Sequence, residues 1–162
     1  MTTTATTTDD FCLTKTFTST PDAVFSALTD VGALTGWWTP AAGGAGSGET
    51  LRFLFGDSEF VALVGEADRP SRVRWEVLAC EPVPDWIGTV IIFDLVQVGT
   101  GTVLSFRHEG LSPSLECFDD CQAGWTYYLG SLVGYVDSGV GHPNPPADAE
   151  HFAAWRAEHN PN

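Results

Sequence analysis

SPSLECFDDCQAGWTYYLGSLVGYVDSG, residues 112–139, reads as one long C-terminal helix. Phe118, Cys121, Trp125, Tyr128, Leu129, Leu132, Tyr135 and Val136 recur at three- and four-residue steps and so share one broad face. Ser112 can cap the first turn, Pro113 suits the first helical position and Gly139 can close the end. Gly124, Gly130 and Gly134 each weaken the helix by about 1 kcal/mol relative to alanine. A face so aromatic needs a large apolar partner. The rest of the chain reads mostly as strands, which predicts a helix lying across a sheet with a pocket between them.

Upstream, Phe11–Thr18 alternates as a first strand, with Phe11, Leu13 and Phe17 on one side. Thr20-Pro21-Asp22 then opens a helix carrying Val24, Phe25 and Leu28 inward, and Asp30 caps a second short one ending near Gly36. Ala41–Gly48 (AAGGAGSG) has little to pack and reads as a flexible loop. Strands follow around residues 51–55, 60–65, 72–78, 89–96 and 102–109, with turns at Gly56-Asp57 and Gly99-Thr100-Gly101. Glu81–Asp85, with two prolines, forms a stiff linker to Trp86. The order predicts an α+β fold: a curved antiparallel sheet around the long helix, with two short helices between the first two strands. Residues 1–10 read as a disordered arm, 11–141 as the domain, and 142–162 as a tail with a short helix over Ala147–Glu158.

The chain has 162 residues, enough for one domain with a real core, and a net charge of −14. Lys15 is the only lysine and the six arginines are dispersed, so phosphate backbones and anionic membrane surfaces are not expected partners. No apolar run approaches the ~20 residues of a membrane span. The opening MTTTATTTDD lacks the basic and apolar parts of a signal peptide. A cytoplasmic location follows by default, with the four cysteines expected as thiols.

Several local strings carry a family resemblance. They are FTSTPDAVFSALTD from Phe17, Trp37-Trp38, VRWEV around Trp75 and DWIGT from Asp85. Phe93, Gly101-Thr102, Phe106, His108-Glu109-Gly110 and the final GWTYYLGSLVGYVDSG continue the series. Their order over residues 11–141 resembles the START-like (SRPBCC, Bet v-type helix-grip) superfamily, in the branch related to the activator of the heat-shock-protein ATPase. The resemblance implies a helix-grip fold enclosing an apolar cavity. That superfamily includes lipid carriers, hormone receptors and polyketide cyclases, so fold alone does not name an activity.

Candidate cavity residues are Trp37, Trp38, Phe53, Phe55, Trp75 and Phe93, joined by Phe106, Phe118, Trp125, Tyr128 and Leu132. Large rigid rings supply apolar contact area for a ligand, and equally for a packed core. His108 shares strand parity with Leu104 and Phe106 and should point inward. There it either orients a ligand or transfers protons, with Tyr128 as second acid-base candidate, or it is satisfied by neighbouring polar groups. Cys117 and Cys121 are zinc-capable ligands with His108, but the Cys-x-x-Cys knuckle is missing and no fourth ligand is evident, so no metal is assigned. Arg107, on the outer face, is expected to pair with Asp94 on the neighbouring strand. No phosphate-cradling loop, nucleophile elbow or cofactor motif is readable. The expected partner is a small apolar or aromatic molecule. The alternatives are a cyclase- or hydrolase-like enzyme on a polyketide-type substrate, or a chaperone-interacting protein.

Overall fold

The computed structural model describes residues 10–56, 58–112, 118–144 and 149–159. The structure has seven strands, most of them built on alternating apolar residues: β1 (Phe11–Phe17), β2 (Ala41–Gly43), β3 (Thr50–Phe55), β4 (Ser58–Asp68), β5 (Arg72–Cys80), β6 (Val90–Val98) and β7 (Gly101–Glu109). They form one antiparallel sheet in the order β1-β7-β6-β5-β4-β3-β2. Register shifts in β4 against β5, at Val61/Ala62 and Val64/Glu66, bend the sheet as bulges do. Val73, Trp75 and Val77 lie buried on the inner face, while Arg72 and Arg74 point outward to Asp94 and Glu76.

Between β1 and β2 run α1 (Pro21–Leu28) and α2 (Val31–Trp37). The Thr20 hydroxyl accepts from the Ala23 N–H at 3.3 Å and an Asp30 carboxylate oxygen from Gly32 N–H at 3.2 Å, so both helices start on side-chain caps. The long helix α3 (Phe118–Ser138) buries Cys121, Trp125, Leu129, Ser131 and Leu132 against the sheet and the short helices. This is the helix-grip α+β architecture. The expected start of that helix, with Pro113, Glu116 and Cys117, lies outside the described residues, as does Asp57 of the first turn. A last helix, α4 (Ala149–His159), packs against β2, and its Trp155 indole donates to Glu59 at 3.2 Å.

Two expectations need correction. The alanine- and glycine-rich run is a loop only from residue 44 on: Ala41–Gly43 pairs with Leu51–Phe53 as β2, and Ala41 and Ala42 are fully buried. Small residues serve a crowded edge there. Gly43 has φ +92°, and an added Cβ would sit 2.3 Å from the Thr50 carbonyl oxygen. Arg107 does not meet Asp94 either. Its register partner on β6 is Ile92, and its guanidinium pairs with Glu109 on its own strand at 2.8 Å; Arg72 takes Asp94 instead, at 2.7 Å.

Helix α3 is anchored twice in its C-terminal half. Ser131 donates to the Trp37 carbonyl at 2.8 Å and accepts from His142 N–H at 2.6 Å. Near the C-terminus, Asp137 accepts from Thr18 N–H at 2.9 Å, Ser19 N–H at 3.2 Å and the Ser19 hydroxyl at 2.7 Å. Burial works to raise the Asp137 carboxyl, but these hydrogen bonds outweigh it and hold the group below its ordinary value. Asp137→Ala is therefore expected to cost about 1 kcal/mol near pH 7, the low end for bonds to a partly exposed charge. A carboxyl depressed in the folded state stabilises above its unfolded pKa and loses that effect as pH falls through the native value. Urea midpoints of both proteins should accordingly converge in acid; a gap that persists at pH 2 would assign the loss to packing.

Candidate functional site

The inner sheet face and α3 do not close on each other completely. A cavity of about 490 Å³ remains between them at one end, a size suited to a small molecule. Its floor is Trp38, just after α2, and Phe55 at the end of β3. Helix α3 contributes Asp120, Cys121, Gly124, Trp125 and Tyr128, spaced three and four apart and hence on one face. The opposite wall is Cys80 together with Pro82, Val83, Pro84, Asp85 and Trp86. That segment is the prolyl linker, whose last three residues form a single 3-10 turn.

The wall is mainly aromatic. Trp86 and Trp125 stack with centroids 5.7 Å apart and planes 5° off parallel, and Trp38 meets Trp125 at 5.1 Å. Behind Trp38 lies Trp75, at 5.9 Å and 2° off parallel, with Phe53 at 4.6 Å from Trp38. The Trp86 indole N–H is directed to the Cys121 sulfur at 3.2 Å, which ties the linker turn to α3 across the cavity's inner end. Tyr128 is half-buried on the wall. Burial, then the neighbouring Tyr127, raises its hydroxyl above the ordinary phenol value, so it is a neutral donor at pH 7.

His108 stands behind this wall. It is fully buried, and its two ring nitrogens face Trp125 Nε1 at 3.1 Å and Thr89 Oγ1 at 2.8 Å. An indole N–H can only donate, so Nδ1 accepts. The neutral ring therefore carries its proton on Nε2 and donates to Thr89, whose hydroxyl donates in turn to the Trp86 carbonyl at 2.6 Å. Burial pushes the imidazole pKa down to about 3. The histidine is thus a neutral brace linking β7, the linker turn and α3, and it holds both stacked tryptophans.

A family model described as activator of Hsp90 ATPase homolog 1-like protein matches residues 18–137, from just after β1 to the last turn of α3. The chain belongs to this family. Among solved structures it is similar to the Aha1 dimer from Colwellia psychrerythraea, with 27% identity, a TM-score of 0.73, and coverage of 82% of this chain and 98% of that one. It is also similar to CalU16 from Micromonospora echinospora, at 19% identity, TM-score 0.67, and coverage of 92% and 84%. An HSP90 activator from Plasmodium falciparum matches at 18% identity, TM-score 0.64, and coverage of 76% and 92%. The latter two likenesses show the fold alone. A comparison with curated proteins found no match.

In this member of the Hsp90-activator-like family, four of the expected cavity residues line the cavity: Trp38, Phe55, Trp125 and Tyr128. Trp37, Phe53, Trp75, Phe93, Phe106, His108 and Leu132 are buried in the core off the wall. Phe118 is part-buried and packs edge-on to Phe11 at 6.5 Å, away from the cavity. The physical reason is that strand and helix parity separates inward from outward positions without separating a cavity wall from the filled core behind it. As cavity residues, sequence reasoning missed Cys80, the linker residues 82–86, Asp120, Cys121 and Gly124. The signal available was Trp86, an aromatic closing the short prolyl segment Pro82-Val83-Pro84-Asp85. Of the zinc-capable set, Cys117 lies outside the described residues and both nitrogens of His108 are engaged. Among the described residues no group of three or more His, Cys, Asp or Glu side chains could hold a metal, and no helix is long and apolar enough to cross a membrane.

Proposed function

We propose that the protein binds a small apolar or aromatic molecule in the cavity between the linker turn and α3. The observation that carries this reading is an aromatic-walled space of about 490 Å³, continuous with solvent at the exposed Pro82, Asp85 and Asp120. Rings held in place by stacking and by the His108 brace form a preorganised surface, so little ordering entropy opposes binding. A ligand of about 20 non-hydrogen atoms, at about 0.3 kcal/mol each, gives a Kd on the order of 10–100 µM. Titration with the neutral dye Nile red, followed by its fluorescence, is expected to saturate at one dye per chain in that range. A signal that rises linearly without saturation would count against a defined site.

Membership of the family favours a second reading, a contact with an Hsp90-type ATPase. It uses surface rather than cavity, where Ile87 and Tyr127 are more than half exposed. Acceleration of a purified Hsp90 ATPase by the protein supports that reading, and an unchanged rate at saturating protein rejects it. The enzyme alternative has less to draw on: His108 is neutral with both nitrogens engaged, so of the two expected acid-base candidates Tyr128 alone reaches the wall.

A further inference from the structure

The cavity carries charge of one sign only. Asp85, in the linker turn, and Asp120, in the first turn of α3, are both exposed at its mouth, on opposite sides. No Lys, Arg or His is among the described residues that line it. The positive end of α3 offsets about half a charge there, which leaves the mouth net negative. The whole chain adds to this with its formal −14. Inside the mouth the wall is Trp38, Trp86, Trp125 and Tyr128, electron-rich ring types that favour a cation over an anion nearby. Carboxylates at the entrance and aromatic rings behind them favour the same ligand charge.

We infer that the ligand is a protonated amine on an aromatic or apolar body, with the ammonium held between Asp85 and Asp120 and the body against the tryptophans. This rests on the cavity being a binding site at all, and it narrows the ligand class: fatty acids and other carboxylates are disfavoured by repulsion, while amines are drawn in.

The test uses three probes of one shape, naphthylmethylammonium, naphthylmethanol and naphthoate, titrated by tryptophan fluorescence at pH 7 against the wild type and an Asp85→Asn, Asp120→Asn double variant. In the wild type the ammonium is expected to bind about tenfold tighter than the alcohol, and the carboxylate about tenfold weaker. In the double variant both differences should shrink to about threefold or less, with the alcohol's affinity unchanged. Both substituted positions are exposed, so folding is not at stake, and equal thermal midpoints verify that. If alcohol and ammonium bind the wild type equally, the amine proposal fails and apolar binding stands. An ammonium preference that survives undiminished in the double variant also overturns it, because bulk charge then suffices. If none of the three binds, the binding reading itself falls and takes the proposal with it.

Discussion

Replacing His108 with alanine is expected to destabilise the protein by about 3–5 kcal/mol at pH 7.5, read as a shift in the urea midpoint. The variant leaves the Trp125 N–H without an acceptor and the Thr89 hydroxyl without its donor, and it opens a void in a fully buried position. Each of those three losses is costly alone. The pH dependence separates a neutral brace from an ordinary core residue. The native imidazole is depressed to about 3. The unfolded one titrates near 6.5. Between those values the unfolded chain binds the extra proton, so stability conferred by His108 is constant above pH 6.5 and falls as pH drops below it. The slope is about 1.4 kcal/mol per pH unit, so the gap between wild type and variant should narrow by about 2 kcal/mol from pH 7.5 to pH 5. A gap that stays constant or widens would mean that the folded imidazole is charged.

Gly124→Phe is expected to lower the affinity for Nile red more than tenfold with no loss of stability. Gly124 sits on the cavity face of α3, and a Cβ built there meets nothing within 4 Å. The new ring enters open space rather than core, so overpacking strain is avoided. Leaving glycine also gains a few tenths of a kcal/mol of helix propensity. Loss of binding with a maintained or raised thermal midpoint locates the site. Unchanged Nile red affinity in a stable variant would put the dye elsewhere.

Much of this was legible in the sequence because two periodicities are clean. Val73, Trp75 and Val77 alternate with charged residues, and Trp125, Leu129 and Leu132 fall on one helical face, so the sheet, its inner side and the crossing helix could be read directly. The short strand β2 could not be, since Ala41-Ala42-Gly43 has low strand propensity and is ordered by burial and by pairing with β3. Arg107 illustrates a second limit: parity put it outside, but its partner depended on register and on the choice between a cross-strand and a same-strand carboxylate. His108 was legible as inward, whereas its role needed Thr89 and Trp125, which lie 19 and 17 positions away. The cavity was least legible. Five of its thirteen lining residues belong to a prolyl segment without periodicity, and a void is set by how volumes fill space rather than by any residue's own preference.

The central claim, a ligand seated against Trp38, Trp86 and Trp125, is tested most directly by the indole N–H signals in a ¹⁵N-correlated NMR spectrum during titration with naphthylmethanol. Six tryptophans report at once. The signals of Trp38, Trp86 and Trp125 should move together and saturate, while Trp155 on α4, outside the cavity, stays in place. Saturable movement confined to Trp155, or no movement at any of the six, would contradict the account.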